Sequence, residues 1–369
     1  MEAQPAPRIR ALVVDDSALA RRMVSQALSS QPDMEVVALA ETGMVALEKV
    51  ARLAPDVVVL DLEMPGMDGF ETLRRLKKSN PQLPVLIFSS RTKRGAGATV
   101  DALLAGADDY ALKPGSTSDS GSWAASQVEL TAKLRAIALR AKHSAQSKVG
   151  NPAPNAERPS LTPRTSVTAV AIGTSIGGPE ALAVILPRLR KSLPVPVFVV
   201  QHMPEGFTSA LARRLSEKSQ IRVVEAQNGQ AVEPGCVFLA PGDFHLQVSN
   251  QHRRVALLLD KGPLENGCRP SVDPLFRSAA RVYGSGLLAI VLTGMGSDGL
   301  AGCSKVDELG GQIWIQDQES AVVWGMAGAI ARAGLARRTV ALAALANTLE
   351  VALQHGLPSV QPRSMGSQD

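Results

Sequence analysis

The chain has 369 residues, 45% of them hydrophobic and 3% aromatic, with a formal net charge of +5. That length predicts two domains, each with enough apolar residues for its own core. The mild positive charge comes without a lysine/arginine stripe interleaved with aromatics, which gives nucleic-acid binding little support and fits a basic surface facing an acidic protein partner at least as well. Cys236, Cys268 and Cys303 lie far apart and follow no zinc-ligand spacing, a usage that fits a reducing compartment. The start, MEAQPAPRIRALVVDD, has no hydrophobic signal region, and no apolar run reaches the roughly 18 residues of a membrane span. The expectation is a cytoplasmic protein with no direct membrane insertion.

Taken in chain order, IRALVVDDS reads as a buried strand, Ile9 to Val14, ending in two acids, Asp15 and Asp16. A helix follows with Ala18, Met23, Ala27 and Leu28 as its apolar positions. EVVALA is a second strand and GMVALEKVARLA a second helix; DVVVLDLEMPGMDG is a third strand running into Asp61 and a proline/glycine loop. ETLRRLKK is helical, PVLIFSS is a strand carrying Ser89, ATVDALLAGA is helical, and DDYALKP is a fifth strand with Tyr110 and Lys113. Gly115 to Trp123 reads as a loop, and Val128 to His143 as an amphipathic closing helix. Strands alternating with helices imply a parallel sheet covered on both faces, with ligands bound beyond the carboxyl ends of the strands. Asp15, Asp16, Asp61, Ser89 and Lys113 all fall at those ends. Clustered carboxylates are costly without a cation, and hard oxygen ligands suit Mg²⁺. A lysine and a hydroxyl nearby could hold phosphoryl oxygens.

VVDDS, LDLEMPGMDG, FSS and KP, in this order over roughly residues 8 to 130, resemble the receiver domain of two-component response regulators. The resemblance implies that Asp61 is the phosphoacceptor and that Asp15 and Asp16 help it bind Mg²⁺. It implies Ser89 and Tyr110 as switch positions and Lys113 as the lysine of the phosphorylation site. Residues 8–143 are expected to form this domain. Ser144 to Thr165 is polar, has four prolines and lacks apolar periodicity, so 144–165 is expected to be a flexible linker.

The second half opens on VTAVAIGTSIGGPE, a strand from Val167 to Ile172 that stops in a glycine-rich turn with Ser175 at its centre. A dinucleotide fingerprint fails because Ser175 stands where the second glycine should be, and a P-loop fails because Pro179 replaces the lysine, so a phosphate cradle stays an open reading that has lost both of its usual signatures. Gly173 to Gly177 fits GxSxG, in which small neighbours permit a sharp turn that exposes the serine hydroxyl. Such a serine needs a base, and the base an orienter. Of the five histidines, His143 and His355 lie at element or chain ends, His252 sits in the hairpin-like NQHRR, and His245 begins a strand after APGDF. His202 stands just past the apolar strand PVFVVQ. Asp298 lies in the glycine-rich loop after the strand Leu287 to Leu292. Serine, histidine and aspartate thus each follow a strand, in an order unlike that of α/β-hydrolases, which points to a different fold.

GTSIGGPEAL, VVQHMPEGF, LAPGDFHL, RPSVDPLF and LTGMGSDG, over about Val167 to Pro358, resemble the catalytic domain of chemotaxis protein-glutamate methylesterases (CheB). The fold implied is two doubly wound parallel-sheet α/β domains, a flavodoxin-like receiver and a Rossmann-like methylesterase domain at 166–358, followed by a disordered tail at 359–369. By the resemblance Ser175 is the nucleophile, His202 the general base and acid, and Asp298 the orienter. Met295 and Ile176 would flank the oxyanion site, with Ile176 where the family often has threonine. The implied reaction is hydrolysis of glutamate methyl esters, with glutamine deamidation, on methyl-accepting chemoreceptor cytoplasmic domains; it needs no metal. A chemotaxis histidine kinase (CheA) would phosphorylate Asp61 and relieve a receiver that blocks the catalytic face. Asp243, His245, Arg269 and Asp273 either shape the substrate groove or pack loops. The rival readings are a receiver-coupled hydrolase of small esters or amides, a non-catalytic phosphorylation-controlled adaptor, and a DNA-binding regulator, the last disfavoured by the absence of a helix-turn-helix pattern.

Overall fold

A computed structural model describes residues 8–90, 92–114, 120–146, 164–251 and 254–358. The chain divides into two compact units, Met1–Val149 and Gly150–Asp369.

The first unit runs β1 (Ile9–Val14), α1 (Ala18–Ser29), β2 (Met34–Ala40), α2 (Gly43–Leu53), β3 (Val57–Leu60), α3 (Gly69–Ser79), β4 (Val85–Ser89), α4 (Lys93–Leu104), β5 (Asp109–Leu112) and α5 (Ser120–Gln146). Its five strands are all parallel, in the order β2-β1-β3-β4-β5. Strands β3, β4 and β5 are buried along their whole length, as expected where helices cover both faces. Ser17, Thr42, Asp68 and Thr92 cap α1 to α4, each side chain accepting a first-turn N–H. Helices therefore start close behind the strand ends, which gathers the acidic loops at one edge.

Two expectations are corrected here. In α1 the buried face is Val24, Ala27 and Leu28; Ala18 is exposed and Met23 half-buried, because the true helical phase puts Val24 toward the sheet. Helix α5 begins at Ser120, so Trp123 lies in the helix and not in a loop, and it continues past His143 to Gln146. Leu130, Leu134, Ile137 and Ala138 form its buried stripe. That packing supplies the helical nucleus, so the extension back to Ser120 carries the propensity cost of serine and glycine without the cost of nucleation.

The second unit runs β6 (Arg164–Thr165), β7 (Ala169–Thr174), α6 (Gly178–Ile185), β8 (Val197–Gln201), α7 (Phe207–Lys218), β9 (Arg222–Glu225), β10 (Cys236–Leu239), β11 (His245–Gln251), β12 (Arg254–Asp260), α8 (Val272–Tyr283), β13 (Leu287–Val291), α9 (Leu300–Glu308), β14 (Gln312–Gln316), α10 (Met326–Arg332), β15 (Arg338–Val340), α11 (Leu342–His355) and β16 (Leu357–Pro358). Seven strands form a parallel sheet in the order β15-β14-β13-β7-β8-β10-β9. The chain enters at central β7, winds out through β8, and returns to β13 on the other side of β7, which makes the β13-β7-β8 edge the topological switch point. Strands β11 and β12 stand apart as an antiparallel hairpin. Phe198, Phe238, Phe276, Val272, Leu275 and Ile315 belong to one buried core under the sheet.

The expected linker is shortened at both ends: Ser144–Gln146 belong to α5, and Arg164–Thr165 pair antiparallel with Leu357–Pro358. Residues 147–163, the expected tail 359–369 and His252 lie outside the described residues. Among the described residues, no helix is long and apolar enough to cross a membrane.

Candidate active site

Ser175 follows β7 directly, and its N–H donates to the Thr293 carbonyl at the end of β13 (3.0 Å). The turn reverses at Gly177, whose φ of 75° is left-handed and whose absent side chain leaves room for Val322. Pro179 then sits in the first turn of α6. Gly294 makes the serine's position possible: a Cβ there would lie 2.8 Å from the Ser175 Cβ and 2.3 Å from the Met326 sulfur. Ser175 is half-buried, Ile176 is buried and Met295 is exposed.

His202 follows β8, its N–H donating to the Thr174 carbonyl at 3.2 Å. Gln201 fastens the two loops together, since its Nε2 donates to both the Ser175 and the His202 carbonyls (2.9 and 3.2 Å). The His202 Nε2 lies 2.7 Å from the Asp298 Oδ2. Its Nδ1, the nitrogen left for a reacting proton, faces the Cys268 sulfur at 3.6 Å. Among the described residues the Ser175 hydroxyl makes no hydrogen bond to the ring; such contacts are often loose before substrate binds.

Asp298 is 3% exposed. Its Oδ1 accepts from Ser271 Oγ (2.7 Å), Asn266 Nδ2 (2.8 Å) and the Gly299 N–H (2.9 Å). Its Oδ2 accepts from the Val272 N–H at 2.7 Å. Val272 opens α8, so the carboxylate caps a helix of another segment and gains the favourable end of its dipole. Burial pushes the Asp298 carboxyl up, but the hydrogen bond and charge of His202, with the Val272 and Ser271 donors, outweigh it and hold the group at about 2. Burial likewise opposes charge on His202, yet the hydrogen bond to Asp298, the Cys268 contact and the nearby negative charge raise it to about 9.

The four polar residues of the other two motifs have internal partners. Arg269 binds Asp243 through Nε and Nη2 (3.1 and 2.6 Å) and the Lys261 and Gly262 carbonyls through Nη1 (3.1 and 2.7 Å). His245 is buried, its Nδ1 accepting from the Ser271 N–H and its Nε2 donating to the Pro263 carbonyl. Asp273 accepts from the Gly302 N–H at 2.6 Å and from Asn266 at 2.8 Å. RPSVDPLF thus frames Asp298. Sequence reasoning gave no role to Gln201, Asn266, Cys268 or Ser271, although VVQHMPEGF and RPSVDPLF carry the first and the last; the dipeptide Asn266–Gly267, a strong hairpin-turn signal, was the clue to the turn between them.

In the first unit, Lys113 Nζ lies 2.8 Å from both Asp15 Oδ2 and Asp61 Oδ2. Asp15, Asp16 and Asp61 offer oxygens within 4.8 Å of one another, a hard-oxygen set that could hold a metal ion. Burial raises the Asp15 carboxyl against the pull of Lys113, as expected of acids crowded at one point. Ser89 is buried and bonds Thr99 Oγ1 at 2.5 Å rather than the acidic cluster. Tyr110 is 4% exposed, with Lys133 Nζ 4.6 Å from its ring centre and 2.8 Å from its carbonyl oxygen.

The family model for the response regulator receiver domain matches residues 11–120, and that for the CheB methylesterase matches residues 170–349. A protein-glutamate methylesterase/protein-glutamine glutaminase of Nocardioides sp. is 44% identical over 96% of this chain and 98% of its own length. Proteins of the same description from Trichodesmium erythraeum and Thermotoga maritima are 42% and 43% identical, covering 93% and 89% of this chain and 98% and 94% of their own. With a receiver match toward one end, a methylesterase match toward the other, and such identity along nearly the whole length of its relatives, the chain belongs to the CheB family of protein-glutamate methylesterases/protein-glutamine glutaminases.

Proposed function

We propose that the chain is a cytoplasmic, phosphorylation-activated serine hydrolase that removes methyl esters from glutamates, and the amide from glutamines, of methyl-accepting chemoreceptors. The observation that carries this reading is the placing of Ser175, His202 and Asp298 beyond the carboxyl ends of three adjacent central strands, with Asp298 held by its surroundings as the anion that orients the ring. Ser175 Oγ attacks the γ-carbonyl carbon while His202 Nδ1 takes its proton. Backbone N–H groups of the elbow at Ile176 and of the Met295 loop receive the oxyanion. The tetrahedral adduct expels methanol, or ammonia from glutamine, which leaves with the proton from the imidazolium. Water activated by the same nitrogen then cleaves the acyl-serine and restores glutamate.

The receiver supplies control. Asp61 is the proposed phosphoacceptor, with a chemotaxis histidine kinase (CheA) as donor. Asp15, Asp16 and Asp61 would hold Mg²⁺, which offsets phosphoryl charge when bound. Lys113, already between two of these acids, is placed to bind phosphoryl oxygens. Ser89 and Tyr110 are the proposed switch positions. Control requires only that the phosphoryl group favour a more active state.

The test is mass spectrometry of methylated receptor cytoplasmic fragments before and after treatment with the full chain. Conversion of esterified glutamates to free glutamate at discrete positions is expected. Turnover of generic small esters with the receptor fragment left intact would instead assign a small-molecule hydrolase.

A further inference from the structure

Between β12 and α8 the chain makes a tight reversal at Glu265–Cys268. Asn266 and Gly267 have φ of 53° and 74°, and Glu265 and Cys268 exchange backbone hydrogen bonds of 3.2 and 2.9 Å. Two successive left-handed residues closed in this way make the two-residue hairpin turn that Asn-Gly favours. The turn is anchored from outside: Arg277 grips both Glu265 oxygens at 2.7 and 2.8 Å, and Arg269 holds the carbonyls of Lys261 and Gly262.

The anchored turn aims two side chains at the histidine–aspartate pair. Cys268 reaches His202 Nδ1, as described above. Asn266 is exposed as a residue, yet its Nδ2 donates to Asp298 Oδ1 and to Asp273 Oδ2, each at 2.8 Å. Asp273 and Asp298 are both buried. Two carboxylates so close repel, and each has a reason to rotate away. An amide nitrogen has two hydrogens and can give one to each.

Building on the serine-hydrolase reading, we propose that Asn266 is a positioning residue of the esterase: its amide, delivered by the turn, ties Asp273 to Asp298 and holds the Asp298 carboxylate in the orientation that fixes His202. The Asn266 amide bonds the two carboxylates and, among the described residues, neither Ser175 nor His202. It acts through Asp298, so its loss should fall on kcat and on the pH at which His202 becomes a base, and little on KM.

The experiment uses the full chain with Asn266→Gly, Asn266→Asp and Ser175→Ala, assayed for methanol release from methylated receptor fragment across pH. Glycine and aspartate both accept the left-handed backbone, so the turn is kept while the donor is lost. For N266G a fall in kcat of roughly tenfold with KM within about twofold is expected, the loss of one charge-assisted hydrogen bond. The acid limb of kcat/KM should also move to higher pH, because a carboxylate short of a donor holds the imidazolium proton more tightly. N266D, which sets a third acid against the first two, should lose more and shift further. Wild-type kcat and pH limb in N266G or N266D, with S175A silent, would overturn the role of Asn266 and leave the serine reading standing. A lowered melting temperature with unchanged kcat and limb would do the same, assigning the turn to stability alone. Turnover by S175A would overturn the serine reading itself.

Discussion

Replacing Asp298 by asparagine separates what the carboxylate does for the ring from what the fold does. In the intact chain His202 is raised from an ordinary 6.5 to about 9, a difference of about 3 kcal/mol in favour of the imidazolium. At pH 7 about one ring in a hundred is then neutral and able to act as a base. Values of kcat/KM should climb about tenfold for each pH step below that point and level off only near 9. In D298N the Asp298 share of that lift is gone while the burial that disfavours charge on the ring remains, so the acid limb should move to lower pH. The plateau should fall by about three to four orders of magnitude, since an amide can hold the wrong tautomer and cannot stabilise the imidazolium. The assay is the initial rate of methanol release at subsaturating receptor fragment from about pH 6 to about pH 10. Stability should follow the same groups. The His202 contribution is fully present below 6.5 and is lost as pH rises through about 9; that of Asp298 is present above 3.8 and is lost as pH falls through about 2. A wild-type profile already flat at neutral pH, or a D298N limb at the wild-type position, would refute this account of the pair.

Three further outcomes follow from local geometry. Lys113→Ala leaves Asp15 and Asp61 without their shared ammonium and should destabilise the receiver by about 3–5 kcal/mol, partly restored by Mg²⁺, as read by thermal unfolding with and without the ion. Gly294→Ala drives a methyl into Met326 and the Ser175 Cβ; kcat should drop at least about tenfold while the unit loses only about 1–3 kcal/mol, checked by kinetics and melting together. Cys236 and Cys303 are buried and Cys268 is partly exposed, so iodoacetamide should label Cys268 in the native chain and abolish turnover by filling the space beside His202 Nδ1. Cys268→Ser should resist that inactivation.

The strands, and the gathering of Ser175, His202 and Asp298 at one sheet edge, were legible because one rule serves both. Apolar runs such as AVAIGT and VFVVQ are buried on both faces, and a parallel sheet brings whatever follows its central strands to one edge. Ser175, His202 and Asp298 are each such residues. The elements that hold them were not legible. Asn266, Cys268 and Ser271 lie on an irregular segment with no periodicity, and their partners are 27 to 66 residues away in sequence. The start of α5 was hidden for the opposite reason: Gly115 to Trp123 has the composition of a loop, and the helix there rests on packing farther along. The phase of α1 was lost because Met23 and Val24 are both apolar and only the sheet decides between them.

The proposed chemistry of Ser175 and its control by the receiver can be read in one assay. The most direct measurement is methanol release from methylated receptor cytoplasmic fragments by the intact chain, Ser175→Ala and Asp61→Asn, each with and without a small phosphodonor and Mg²⁺. Release by the intact chain should rise with the phosphodonor, release by D61N should not rise, and S175A should release none. Release by S175A, or an equal rise in D61N, would contradict this reading.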